Sequence, residues 1–184
     1  MSEELQEATV EVIGQYPKIA ERYKAGEELT DEELDTIADV AVSILRDLLG
    51  FFDASDSPID EYEGDDGELI LDVTAPDLAV LIGRHGRTLE SLQPLFSLLV
   101  SRRLGFRYPV AVDVEGYKSR RHDKVISMAR SAAARAVRQH STVNLPPMSA
   151  YERRLVHIAL RDDDRVDTHS EGSDPERRVV ITVL

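Results

Sequence analysis

The chain has 184 residues, 42% of them apolar, with no cysteine, no tryptophan and a formal net charge of −13. That length holds one ordinary domain or two small ones with modest cores, and the lack of cysteine excludes disulfides, thiolate metal sites and thiol nucleophiles. No apolar run is long enough to cross a bilayer and Met1-Ser2-Glu3-Glu4 lacks the basic start of a signal peptide, so the expectation is a cytoplasmic protein without membrane insertion.

Leu5, Ala8, Val12 and Tyr16 recur at helical spacing within 3–24, where Pro17 is expected to bend or divide the helix. Thr30-Asp31-Glu32-Glu33 has the form of a capping box, and Leu34, Ile37, Ala38, Ala41, Ile44, Leu45 and Leu48 mark one buried face of a helix that Gly50 ends. A polar extended stretch, Ser57–Glu63, leads through the Asp65-Asp66-Gly67 turn into Glu68–Thr74, where Leu69, Leu71 and Val73 alternate with Ile70 and Asp72; this predicts a hairpin. A short helix over Asp77–Ile82 and a longer one over Arg87–Leu104, with Leu89, Leu92, Phe96 and Leu99 at helical spacing, flank Gly83-Arg84-His85-Gly86. Pro109–Val114 reads as a strand, and about Tyr117–His140 as a long helix with Val125, Met128, Ala129, Ala132, Ala136 and Val137 on its apolar side. Val143–Met148 reads as a loop, Ser149-x-x-Glu152 as the cap of another helix, and two strands near Val166–His169 and Arg177–Val183 close the chain.

The charge is unevenly divided. Residues 1–75 carry 4 Lys and Arg against 22 Asp and Glu, whereas residues 84–154 carry 14 basic against 5 acidic. A basic region beside an acidic one is a nucleic-acid signature, with the acidic part facing away from the ligand. Gly83 and Gly86 place no Cβ in the way of a sugar-phosphate backbone, the amides opening the second helix point at it, and Arg84, His85 and Arg87 supply charge and donors. The competing reading is a helix corner that needs glycine for its geometry alone. Further on, Arg153 and His157 stand four apart and share a helix face, suited to holding phosphate or base, although Arg153 paired with Glu152 or Asp164 on an ordinary surface helix gives the same spacing. Of Arg177 and Arg178, strand alternation sends only one to that side. His157 near Asp162-Asp163-Asp164 matches no closed metal site, and the glycine turn fails as a nucleotide-binding P-loop because Leu81 and Arg87 stand where glycine and lysine are needed. No cofactor or metal is expected. Aromatic residues make up 5%, which disfavours a base-stacking platform and favours a backbone clamp beside an apolar groove to which Ile82 and Leu89 could contribute.

The order helix, strand, strand, helix, GxxG, helix, strand resembles a type II KH domain, and Arg153-Arg154-Leu155-Val156-His157 resembles the Arg-x-x-x-His signature of the R-three-H domain. With Pro146-Pro147-Met148-Ser149-Ala150-Tyr151-Glu152 and Ser170-Glu171-Gly172, the two motifs in this order resemble the Jag (SpoIIIJ-associated) family of bacterial RNA-binding proteins over about 31–184. The resemblance implies an α+β fold of two small modules: an acidic helical segment over 1–30, a type II KH-like domain over 31–116, a basic connecting helix over 117–142 and an R-three-H-like domain over 143–184. It further implies binding of single-stranded RNA without catalysis, pairing with a small stand-alone KH protein, and post-transcriptional control linked to cell elongation and division. Single-stranded DNA is the alternative nucleic acid. The rival function is a protein-interaction adaptor that docks a partner through the acidic N-terminal helices.

Overall fold

The computed structural model describes residues 16–74 and 79–184 and divides the chain into two compact units, 1–115 and 116–184. The expected helical positions Leu5, Ala8 and Val12, and the start of the short helix at Asp77, lie outside the described residues.

In the first unit, helix α1 (Pro17–Lys24) begins at Pro17 itself. Proline is tolerated there because a first-turn amide has no helical partner to lose. Ile19 and Ala20 are buried, and Tyr23 packs against Phe106 and Tyr108 with ring centroids 5.1 and 5.4 Å apart. The described part of the acidic N-terminal segment is therefore packed into this unit. Arg22 ties it down, reaching Glu33 at 2.8 Å and the Glu28 carbonyl at 2.8 Å. Helix α2 (Asp31–Gly50) opens with the expected capping box, Thr30 accepting from the Glu33 amide while the Glu33 side chain accepts from the Thr30 amide. Its buried face runs through Ile37, Val40, Ala41, Ile44, Leu45, Leu48 and Leu49; Leu34, expected on that face, is 40% exposed at the helix's first turn.

Strands β1 (Ile59–Glu63) and β2 (Leu69–Val73) form the expected antiparallel hairpin, and β3 (Val110–Val114) joins β2 in parallel, giving the sheet order β1-β2-β3. Short helix α3 (Ala79–Ile82), a 3₁₀ turn (Arg84–Gly86) and helix α4 (Arg87–Leu104) provide the crossover. Leu89, Leu92, Phe96, Val100 and Leu104 bury one side of α4; Val100, rather than the half-buried Leu99, continues the stripe.

In the second unit, helix α5 (Tyr117–Gln139) buries Val125, Ala129, Ala132, Ala133 and Ala136. These pack in one core with Val156, Leu160, Val166, Val179 and Ile181. Over the stretch expected as a connecting helix at 117–142, the alanine-rich face of α5 packs into the core of the second unit. The stretch expected as a loop at Val143–Met148 starts with a two-residue strand, β4 (Val143–Asn144), which pairs with β6 (Arg178–Val183). Helix α6 (Ala150–Ala159) follows the capping box at Ser149 and Glu152, and β5 (Val166–Glu171) pairs antiparallel with β6, giving the order β4-β6-β5. Among the described residues, no helix is long and apolar enough to cross a membrane.

Candidate nucleic-acid interface

The glycine turn of the first unit is built by conformation. Gly83 has φ 69° and ψ −176°, a region nearly closed to residues with a side chain, and a Cβ there would stand 2.9 Å from the Thr88 amide nitrogen. Gly86 has φ 83° and precedes α4, whose first amide, that of Arg87, donates to the Arg84 carbonyl. His85 adopts φ 59° between them, a left-handed conformation uncommon for a residue with a Cβ. The strained backbone pushes the tip outward: Arg84 and His85 are exposed, while Arg87 is half-buried at the first turn of α4. The turn therefore demands its glycines whatever it binds. What adds to that geometry is a cationic, outward tip at the start of a helix.

In the second unit, α6 and β5 build a separate site. Arg153 and His157 lie one turn apart on α6, both half-buried. The alternative in which Arg153 pairs with a neighbouring carboxylate does not hold. Among the described residues no ion pair joins Arg153 to Glu152 or Asp164, and Glu152 is engaged by Arg121 at 2.6 Å and by the Ser149 amide. The Nε of Arg153 is buried without a hydrogen-bond partner, as is that of Arg177. The His157 ring lies 2.8 Å through Nδ1 from the Thr168 hydroxyl and 3.1 Å through Nε2 from the Ser170 hydroxyl. A neutral imidazole donates to one and accepts from the other, and each hydroxyl can play either part. Burial, followed by the charge of Arg153, holds the His157 pKa below the ordinary imidazole value, with Asp167 pulling the other way and His169 adding to the depression.

Thr168 and Ser170 are absent from the expected site, yet their signal is in the sequence. They continue the inward alternation Val166, Thr168, Ser170 along β5, so two polar residues occupy strand positions that should be apolar. Arg154 is exposed, turned away from the pair as its position on the helix requires. The acidic run at 162–164 makes no metal site with His157: among the described residues, no group of three or more His, Cys, Asp or Glu is placed to hold a metal ion.

These features define a protein of two small modules, one with a glycine-turn between helices and one with an Arg-x-x-x-His helix face over a strand. Family models agree: the KhpA/KhpB KH domain matches residues 39–112 and the R-three-H domain matches residues 123–183. The chain is 36% identical over 152 residues to the RNA-binding protein KhpB of Clostridium symbiosum, covering 81% of this chain and 67% of that protein. It is similar to the proteins of the same name from Lactiplantibacillus plantarum, at 36% identity over 56% of this chain and 32% of that one, and from Bacillus subtilis, at 30% over 60% and 54%. The chain belongs to the KhpB (Jag) family, and it spans about a third to two thirds of the length of these relatives. Its matched domains are binding modules, and it is not an enzyme.

Proposed function

We propose that the chain binds single-stranded RNA and leaves it chemically unchanged. The glycine turn at Gly83, Arg84, His85, Gly86 and Arg87 clamps sugar-phosphate backbone, and Arg153 with His157 holds another segment of the strand. The observation that supports this best is the exposed Arg84–His85 tip set between two glycines whose conformations no other residue adopts cheaply, in a family whose relatives carry the name RNA-binding protein. The family resemblance extends the reading to cytoplasmic post-transcriptional control connected with cell elongation and division, and to pairing with a small stand-alone KH protein.

The test is binding of a labelled single-stranded RNA of mixed sequence, with duplex RNA and single-stranded DNA as competitors, for the wild type and for Arg84→Asp/His85→Asp. Both substituted side chains are exposed, so the variant is expected to keep the wild-type melting temperature and lose most of its affinity. A folded variant with undiminished affinity removes the turn from the mechanism. Competition by single-stranded DNA equal to that by RNA shows that the ligand is single-stranded nucleic acid in general.

A further inference from the structure

The sheet of the first unit is closed at one margin and open at the other. At β3 the Gln93 side chain donates to the Val110 carbonyl and accepts from the Val112 amide, so that margin is occupied. At β1 the ladder ends. The bonds flanking β1 show which of its backbone groups point outward. The Thr74 amide donates to the Pro58 carbonyl and the Gly64 amide to the Glu68 carbonyl, both in line with the β1–β2 register. Bonded positions alternate along an antiparallel pair, so Asp60 and Tyr62 bond to β2, while Ile59, Glu61 and Glu63 turn their amides and carbonyls to the open side.

The side chains at this margin share one sign. Asp60, Glu61 and Glu63 are exposed on β1, and the register sets Asp60 in a row with Asp72 of β2 and Asp113 of β3. From Phe51 to Gly83 the chain has ten Asp and Glu and no Lys or Arg, so no cation of the hairpin itself offsets this charge. Tyr62 feels it: its pKa is raised, first by burial and then by the charges of Asp72 and Asp113.

Sign decides the occupant. A second copy pairing through β1 would set carboxylates against carboxylates, and a nucleic-acid strand would meet the same repulsion. A polypeptide strand carrying Lys or Arg meets neither obstacle. Its backbone satisfies the outward groups of Ile59, Glu61 and Glu63, and its cations stand beside Asp60 on one face or beside Glu61 and Glu63 on the other. We propose that β1 is a docking edge for an extended, lysine- or arginine-rich segment of a partner protein, which prolongs the sheet beyond β1. Backbone bonds supply the pairing, and the carboxylates select the partner. The edge uses none of the residues assigned to RNA.

The test uses the full chain and a short labelled peptide of alternating lysine and valine. A twin peptide, N-methylated throughout, keeps the charge and loses every amide donor. Wild type is expected to bind the first peptide and to bind its twin about tenfold more weakly. Amide hydrogen exchange followed by NMR should slow at Ile59, Glu61 and Glu63 when the first peptide is added, while Asp60 and Tyr62, already bonded to β2, change little. Glu61→Pro removes one outward donor without touching the β1–β2 bonds, so it should keep the wild-type melting temperature and lose most of the binding. Glu61→Gln/Glu63→Gln, which leaves the backbone intact should proline disturb the hairpin, is expected to weaken binding about fivefold at low salt. Equal affinity for the two peptides, or unchanged exchange at the outward amides, overturns the proposal and leaves charge attraction alone. Equal binding of an alternating glutamate and valine peptide overturns the choice of partner. Slowed exchange at the same amides in concentrated protein without peptide, with a doubled mass in sedimentation, assigns the edge to a second copy instead.

Discussion

At the scale of single residues, His157 of the proposed binding face is held by hydroxyls on both ring nitrogens, in surroundings that disfavour its charged form. Its depressed pKa means that the unfolded chain takes up a proton there more readily than the folded one, so the contribution of His157 to stability is complete above the ordinary value of 6.5 and is lost as pH falls through the lower, folded value. We expect the urea midpoint of the wild type to fall more steeply below that pH than that of His157→Gln, measured in parallel. A bound phosphate acts in the opposite sense. By neutralising Arg153, which helps to depress the pKa, it favours the imidazolium, so RNA affinity should rise as pH falls and do so less in His157→Gln; parallel slopes for the two proteins in both measurements would remove the histidine from the linkage. Gly83 illustrates a different residue-scale lesson. Its need for glycine was readable from the GxxG spacing, but the Thr88 amide that crowds it belongs to the next helix and became visible only when the turn closed.

Among the elements, β3 carries a device that no periodicity announces. It lies at one margin of its sheet, and on the side away from β2 the half-buried Gln93 of α4 donates to the Val110 carbonyl at 2.9 Å and accepts from the Val112 amide at 3.1 Å. A side-chain amide thus stands in for a neighbouring strand, and Asp113 accepts from the Val114 amide just beyond it. Gln93→Leu keeps the volume and deletes both bonds, leaving the Val112 amide unpaired and the Val110 carbonyl with only the long contact from the Ser97 hydroxyl at 3.5 Å, at a cost of about 1–3 kcal/mol. The variant should melt lower and aggregate on concentration, as followed by calorimetry and light scattering; unchanged behaviour would show that water replaces the side chain at that margin. The element boundaries themselves were largely legible, because capping boxes at Thr30 and Ser149 and the Asp65-Asp66-Gly67 turn are local signals. Gln93, the Thr168–Ser170 pair and strand β4 were harder to read. Each depends on a partner 11 to 38 residues away: Gln93 on Val112, His157 on Thr168, and Val143 on Ile181. Only the inward alternation of β5 gave the polar pair away in advance.

Over the whole molecule, the division into units refines the charge split. Residues 1–115 carry 9 basic and 26 acidic residues and residues 116–184 carry 13 and 9, so the first unit is strongly anionic and the second mildly cationic. Yet the exposed Arg84 of the anionic unit stands on its glycine turn, far along the sequence from the acidic run at 60–72. Net charge therefore does not favour association with a polyanion, and the proposed RNA binding rests on specific phosphate contacts. Each such contact releases counterions, so replacing Arg153 with Ala should flatten the dependence of log affinity on log salt by about 0.7 for a single strand and weaken different sequences alike. A slope identical to the wild type, measured over the same salt series, would show that Arg153 touches no phosphate. Helix α5 combines the two characters: its basic residues lie among exposed positions, and its alanines allow close packing within the second unit.

The two margins of the first sheet differ in kind. One is sealed by Gln93, but the other, β1, is guarded only by the like charges of Asp60, Glu61 and Glu63, all exposed. Such a guard works by repulsion between copies, and salt screens it. High salt therefore loosens the protection of one margin alone, because the bonds by which Gln93 closes the other carry no net charge to screen.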